Sequence, residues 1–173
     1  MLNVATGNTV LVESILSQFR ASLAMLQRVI EICPEELWLN RSYRSRSWHI
    51  AYHSLFYTNL YSYASEAEFT PWPKHQTACR LLGGSEEDLV SAQPYSRAEL
   101  LCYHQICCAA VERNVAMLPF NASSGFDWLP MNRFELHLYS LRHIQHHTGQ
   151  FAERLRCASD IALPWVRLGE RTN

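Results

Sequence analysis

The sequence predicts an all-α fold, and three observations lead to that expectation. Apolar residues recur three or four positions apart over long segments, which is the spacing of one helix face. Capping sequences and prolines delimit these segments, and no stretch alternates apolar and polar residues as a half-buried strand does. At 173 residues the chain is expected to form a single domain, residues 1–173. We therefore predict a four-helix bundle with long crossover connections.

The first two helices are predicted at residues 9–32 and 46–66. Helix one stops before Pro34, because proline cannot continue a helix. Its apolar stripe comprises Val12, Ile15, Leu16, Phe19, Leu23, Leu26 and Ile30. Helix two is rich in aromatic residues whose period is closer to 3.6 than to 2. These aromatic residues are Trp48, Tyr52, Phe56, Tyr57, Tyr61 and Tyr63.

A long connection follows helix two. The segments Thr70–Pro73 and Gly83–Gly84 interrupt regular structure there, while Ser85–Asp88 could cap a short helical turn. The three connections between the predicted helices are all longer than the tight loops of an up-down-up-down bundle. One or more crossovers are therefore expected.

Two further helices begin at capping sequences. Ser96 with Glu99 forms a capping box that opens helix three, which should run to about Leu118 before Pro119. Asn132 with Glu135 offers a similar cap for helix four. The apolar stripe of helix four comprises Phe134, Leu138, Leu141, Ile144, Phe151 and Leu155.

Composition narrows the functional classes. Apolar residues make up 48% and charged residues 18%, with a net charge of −1, so the basic footprint of a nucleic-acid-binding protein is missing. The first cation is Arg20, which leaves no positively charged start of a secretory signal, and no uninterrupted apolar run approaches the length of a membrane span. We expect a cytoplasmic protein that binds neither nucleic acid nor membrane.

The cysteines are expected to be buried free thiols rather than disulfides or metal ligands. None forms a CxxC pair, and adjacent residues such as Cys107 and Cys108 diverge by about 100° on a helix, so both cannot ligate one metal well. The six cysteines are Cys33, Cys79, Cys102, Cys107, Cys108 and Cys157.

Histidines carry the most specific signal in the chain. His143 and His147 stand four positions apart on helix four, so their imidazoles share a face that lies close to the apolar stripe. Burying unpaired imidazoles together is costly, and a shared divalent cation satisfies them. The alternative is a solvated polar patch near a helix end, which His146 would complete.

A third ligand is expected from helix two, where His49 and His53 again stand four positions apart. Spacing alone does not choose between them. Three neutral imidazoles suit Zn²⁺, Ni²⁺ or Fe²⁺ and leave coordination positions open, as in catalytic sites. The ExxH pairs of di-iron bundles and the HExxH motif of zincins are both absent from the sequence. For His75, His104 and His137 we expect a partly buried side chain with a satisfied hydrogen bond.

The segments WHIAYHSLFYTNLY and LYSLRHIQHHTGQF together resemble the DinB/YfiT-like superfamily of metalloenzymes. The resemblance implies a metal triad of His53, His143 and His147. It leaves His49 and His146 as hydrogen-bond donors to ligands or as surface groups. Gln150 also matches the family motif, and it either braces the site or is a plain surface residue.

The same resemblance implies an up-down-down-up bundle, one divalent metal ion and a homodimer. It also implies a small-molecule substrate and a thiol-dependent transferase or isomerase that uses a low-molecular-weight thiol. Hydrolysis by a metal-activated water is the alternative reaction. A bundle in which the histidines bind metal only for stability, or mediate association, is the alternative outside catalysis.

Two further features have weaker functional interpretations. Arg41–Arg46 concentrates three cations just before helix two and could hold the carboxylates of a cosubstrate, but a solvated loop is the interpretation we prefer. Four aromatic residues could line a pocket beside the metal, but core packing is the interpretation we prefer. They are Tyr57, Tyr61, Trp72 and Trp128.

Overall fold

The computed structural model describes residues 4–83 and 92–169, with side chains described from Thr9 onward. This part of the chain is all-helical and contains no β-strand. Its helices are α1 (Val4–Ile32), α2 (Glu35–Trp38), α3 (Ser47–Ser62), α4 (Arg97–Met117) and α5 (Arg133–Ser159). Two short 3-10 turns, Glu66–Glu68 and Thr77–Cys79, lie in the connection after α3. The predicted all-α class is confirmed.

Each of the four long helices packs against two of the others, in the order α1, α4, α3, α5 and back to α1. Helices α1 and α3 each pack against both α4 and α5, whereas α1 and α3 touch each other only slightly. Helix α3 is the most enclosed, because all of its residues except Tyr57 are buried. Some of its buried polar side chains are satisfied within the helix: the Ser54 hydroxyl donates to the Ile50 carbonyl at 2.8 Å, and the Thr58 hydroxyl donates to the Ser54 carbonyl at 2.7 Å. The functional consequence is that α3 and α5, far apart in sequence, lie side by side.

The caps predicted for α4 and α5 are confirmed. At α4 the Glu99 amide donates to Ser96 Oγ at 3.2 Å, and the Ser96 amide donates to Glu99 Oε2 at 2.9 Å. At α5 the Glu135 amide donates to Asn132 Oδ1 at 2.9 Å. Each cap satisfies an amide that the first helical turn leaves without a partner.

Helix α3 ends at Ser62, four residues before the predicted end. Tyr63 takes an extended backbone, and the buried guanidinium of Arg133 donates to the carbonyls of Tyr63 and Ala64 at 2.6 and 2.7 Å. These carbonyls would otherwise be left without a donor where the chain leaves the helix. Arg133 lies about 70 positions away in sequence. A side chain that distant leaves no local signal for the helix end.

Helix α2 was not predicted, and α1 begins earlier than predicted, at Val4 rather than residue 9. In α2, Pro34 stands at the N-cap and Leu37 and Trp38 are buried. The Trp38 indole N–H donates to the Tyr95 carbonyl at 2.8 Å, which anchors the helix to the connection before α4. The helical turn predicted at Ser85–Asp88 lies outside the described residues.

One segment, Thr9–Ile32, is long and apolar enough to cross a membrane by length and composition alone. This differs from the expectation that no run approaches that length. Its side chains Phe19, Leu23, Leu26 and Ile30 are buried in the protein core. The core helix of a soluble protein passes the same test, so this segment is weak evidence for a membrane location.

All six cysteines are free thiols. Cys33, Cys79 and Cys107 are buried as expected, but Cys102 and Cys157 are exposed, which corrects the expectation of general burial. Cys157 lies near the end of α5 and its thiol donates to Glu153 Oε1 at 3.2 Å.

Candidate metal centre

The packing of α3 against α5 brings three histidines into one cluster. His53 lies on α3, while His143 and His147 lie one turn apart on α5. His143 Nε2 is 3.0 Å from His53 Nε2 and 3.1 Å from His147 Nε2. The three side chains thus each offer a nitrogen to a common point, and these nitrogens all lie within 4.8 Å of one another. We refer to His53, His143 and His147 as the histidine cluster.

Hydrogen bonds at the other ring nitrogen orient two of the imidazoles. His53 Nδ1 donates to the Arg80 carbonyl at 2.8 Å, and His147 Nδ1 donates to Gln150 Oε1 at 2.8 Å. A carbonyl oxygen can only accept, so the proton is placed on Nδ1 and the lone pair on Nε2. Such partners are typical of metal-ligating histidines, because they fix both the tautomer and the ring orientation.

Burial keeps the cluster neutral. Only 8% of His53 and 7% of His147 is exposed. Desolvation is the main reason why the pKa of His53 falls to about 4 and that of His143 to about 3, and it lowers the pKa of His147 as well. The neighbouring imidazoles lower the pKa of His143 further. Neutral imidazole is the form that binds a metal ion.

The donor set fits a divalent cation. Zinc–nitrogen bonds of about 2.0–2.1 Å place the nitrogens of a tetrahedral site about 3.3 Å apart, close to the two short separations in the cluster. Without a cation, the Nε2 lone pairs of His53 and His147 both face Nε2 of His143. That single nitrogen carries at most one proton, so it can donate a hydrogen bond to only one of them. Nδ1 of His143 is buried and has no hydrogen-bond partner within the described chain. The cluster could therefore hold a metal ion through three Nε2 atoms.

Cavities adjoin the cluster at two places. One, of about 530 Å³, is lined by His53 and His143 together with aromatic side chains, Arg80 and Glu66. The other, of about 550 Å³, is lined by His147, Gln150, Arg44 and Arg154 among others. A cation held by the cluster would thus be reachable by a small molecule.

Of the four aromatic residues singled out in the sequence, three line a cavity beside the cluster and one is packed in the core. Tyr57, Tyr61 and Trp128 line the cavity of about 530 Å³. Trp72 does not line it, because it is buried and stacks on Tyr103 at a ring-centroid distance of 4.8 Å, which is the core packing expected for it. Tyr139 lines the cavity as well and was missed. Its position four residues before His143 was the signal that could have identified it.

His49 and His146 both lie outside the histidine cluster. His49 is fully buried, bonds the Cys79 carbonyl through Nε2 at 2.9 Å and stacks on Trp48. Both alternatives are therefore wrong for His49, which neither lies at the surface nor donates to a histidine of the cluster. His146 is exposed on α5, with its ring 4.9 Å from that of His147.

Of the three remaining histidines, His75 and His104 have the hydrogen bond that was expected of them, and His137 does not. The Tyr52 hydroxyl bonds His75 Nδ1, and His104 Nε2 bonds the Leu23 carbonyl at 3.0 Å. His137 is a correction, since it is buried and its Nε2 has no hydrogen-bond partner among the residues described. Edge contacts with Phe19 and Phe120 surround its ring instead.

Two hydrogen bonds between arginine side chains and backbone carbonyls fix the position of the basic segment before α3. Arg44 donates to the Gly83 carbonyl at 2.8 Å, and Arg154 of α5 donates to the Ser45 carbonyl at 2.6 Å. The Arg154 guanidinium also lies 4.2 Å from the centroid of the Tyr43 ring. Sequence reasoning missed Arg154, although it stands seven positions after His147 on the same helix face.

Comparison with protein families, with curated protein sequences and with solved structures finds no match for this chain. The resemblance to the DinB/YfiT-like superfamily therefore stays a prediction. The geometry of the histidine cluster is the basis for assigning a function.

Proposed function

We propose that His53, His143 and His147 bind one divalent cation and that the chain is a metal-dependent thiol transferase of the DinB/YfiT-like type. The observation that carries the proposal is the convergence of three Nε2 atoms, two of them bare because Nδ1 of the same ring donates elsewhere. Zinc, nickel and iron(II) all accept such a donor set. No cysteine or carboxylate joins the cluster within the described chain, which favours these metals over magnesium or calcium.

The proposed architecture is a four-helix bundle with up-down-down-up order. Cys107 bonds the Leu55 carbonyl and Asn114 bonds Ser62, so α3 and α4 run parallel, as this order requires. His53 contacts His143 and Tyr63 contacts Arg133, so α3 and α5 run antiparallel. In such a bundle, side chains on facing helices build the site. We further propose a cytoplasmic homodimer. This part of the proposal rests on the resemblance to the DinB/YfiT-like superfamily.

The proposed reaction joins a low-molecular-weight thiol to an electrophilic small molecule. A divalent cation supplies positive charge that lowers the pKa of a thiol or water bound to it. The Arg80 carbonyl and Gln150 hold the imidazoles of His53 and His147 in place. The cavity of about 530 Å³ provides room for the electrophile beside the cluster.

A metal-dependent hydrolase is the second candidate, because three protein ligands leave an open position that water can occupy as readily as a thiol. A non-catalytic bundle is the third, since a cation between α3 and α5 would join two helices whatever else it did.

The test uses protein purified without a histidine tag, loaded with zinc, nickel or iron(II) and assayed with L-cysteine and monobromobimane. In the reaction, sulfur bonds to the bimane methylene carbon, bromide leaves and the thiol proton passes to solvent. We expect one divalent ion per chain and a conjugation rate above the uncatalysed rate. His147→Ala should lose both, whereas the matched variant His146→Ala should keep both.

The outcomes separate the three candidates. Metal binding with cleavage of p-nitrophenyl acetate and no conjugation would favour the hydrolase. Metal binding with neither reaction would favour the non-catalytic bundle. If the protein holds no divalent ion and EDTA leaves its melting temperature unchanged, the proposal that it binds a metal is wrong.

A further inference from the structure

The cavity lined by His53, Tyr57, Tyr61, Arg80, Trp128 and Tyr139 has a composition that selects among ligands. We call it the aromatic cavity. We propose that it binds a small planar aromatic carboxylate, with the ring against the tyrosines and Trp128 and the carboxylate on Arg80. The inference names a substrate class for the proposed enzyme and so rests on the proposed function, but binding itself is measurable without catalysis.

The walls of the aromatic cavity are ring faces and edges. Tyr57 and Tyr139 flank His143, with ring centroids 5.7 and 6.4 Å from the imidazole. Tyr61 joins them, with centroids 5.4 Å from Tyr57 and 5.8 Å from Tyr139. Aromatic rings prefer edge-to-face and offset contacts with other rings, so this wall favours a flat aromatic ligand over a saturated one.

Trp128 is 50% exposed although it is large and apolar. It packs on Phe126 at a centroid distance of 5.4 Å, and this places the indole against the cavity. An exposed tryptophan beside a concave pocket is the usual anchor for an aromatic ligand, which would cover it.

Arg80 supplies the charge that selects an anion. Its side chain is paired only loosely, with Nη1 4.0 Å from Glu66 Oε1. Such an exposed pair contributes little to stability, so a ligand carboxylate can replace it at little cost. Guanidinium binds a carboxylate through two parallel hydrogen bonds, which also fixes the plane of the ligand. The Arg80 carbonyl holds His53, so anion binding occurs next to the histidine cluster.

Size and open hydrogen-bonding groups agree with this ligand class. A volume of about 530 Å³ lies within the range of small-molecule sites. Within the described ranges, the hydroxyls of Tyr57 and Tyr139 have no hydrogen-bond partner. They can donate to a polar substituent on the ring of the ligand.

The experiment measures binding of 2-naphthoate by isothermal titration calorimetry to zinc-loaded and to EDTA-treated protein. Arg80→Met keeps the backbone carbonyl that holds His53 and should weaken 2-naphthoate about tenfold, the effect of losing about 1.4 kcal/mol. It should leave neutral 2-naphthalenemethanol unchanged. Arg44→Met removes the same charge from the other cavity and is the matched control, expected to change neither ligand.

A second pair of variants tests the aromatic wall. Trp128→Ala should weaken both naphthyl ligands about tenfold, with little effect on cyclohexanecarboxylate. Trp165→Ala is its control, because Trp165 is 72% exposed and does not line the aromatic cavity. Both tryptophans are at least half exposed, so the variants are expected to fold, and thermal melting checks this.

The result that supports the proposal is weakening by Arg80→Met and Trp128→Ala but not by their controls. Three results would overturn it: no binding of 2-naphthoate at 1 mM, equal effects of Arg80→Met and Arg44→Met, or binding that depends on zinc and ignores Arg80. If the protein binds no zinc but Arg80→Met and Trp128→Ala still weaken ligand binding, the proposed function is wrong and the ligand assignment of the aromatic cavity stands.

Discussion

His49 and His53 lie one turn apart on the same helix, yet the structure gives them different tasks. His49 bonds the Cys79 carbonyl through Nε2, whereas His53 bonds the Arg80 carbonyl through Nδ1. The first arrangement leaves Nδ1 buried without a partner within the described residues, and the second leaves Nε2 facing two more imidazoles. The nitrogen committed to the backbone thus decides whether a buried histidine anchors a loop or can bind a cation.

Helix α5 shows the same difference between its own histidines. On α5, His143 and His147 face His53, whereas His137 lies among phenylalanine rings. His137 is buried, as are His53 and His147, so burial alone does not indicate that a site could hold a cation. The convergence of several ring nitrogens without a proton does.

The largest expected effect is the loss of metal binding when one cluster histidine is removed. His147→Ala should lower zinc affinity by more than about 100-fold, because the loss of a ligand exceeds the 10–100-fold cost of losing a ligand's hydrogen-bond partner. His146→Ala should change it little, because His146 is exposed and outside the cluster. Calorimetric titration with zinc at pH 7.5 measures both. The opposite ranking would mean that the metal lies on the other face of α5.

The next effect concerns the orientation of His147. Gln150→Leu removes the acceptor at 2.8 Å from His147 Nδ1 and should weaken zinc binding about 10–100-fold. Gln150→Glu restores an acceptor and should recover most of the affinity. Equal affinities for the wild type and the leucine variant would show that Gln150 is only a surface residue.

His49→Leu should act on stability and leave metal binding nearly intact. The substitution leaves the buried Cys79 carbonyl without its donor, which costs about 1–3 kcal/mol of unfolding free energy. Urea denaturation measures the loss, and zinc titration of the folded variant should match the wild type within about threefold, or less than 1 kcal/mol. A large loss of zinc affinity in a stably folded variant would place His49 at the metal.

The smallest effect is the pH dependence that His137 contributes. Burial, with a smaller effect from Arg133, lowers the pKa of His137 to about 4. The unfolded chain binds this proton near pH 6.5, so the stability contribution is complete above that pH and is lost as pH falls toward 4. His137→Phe should therefore reduce the loss of stability between pH 7 and pH 5 by on the order of 1–2 kcal/mol.

Urea denaturation at both pH values tests this, with His146→Gln as an exposed control. A His137→Phe protein whose stability falls with pH as steeply as the wild type would contradict the assignment.

Local signals explain what the sequence could predict. The caps at Ser96 and Asn132 act on amides three positions later, so they are visible in a short window. The pair His143 and His147 is equally local. The end of α3 depends on Arg133, and the role of His53 depends on the Arg80 carbonyl, so neither could be predicted from neighbouring residues. Helix α2 is four residues long and too short to show a period.

Zinc K-edge X-ray absorption on the untagged, zinc-loaded protein tests the central claim most directly. The account predicts imidazole scattering from three histidines, with nitrogen ligands at about 2.0–2.1 Å, and loss of one imidazole contribution in His53→Ala. Sulfur ligation at about 2.3 Å, or a spectrum that His53→Ala leaves unchanged, would contradict the assignment of His53, His143 and His147 as the metal centre.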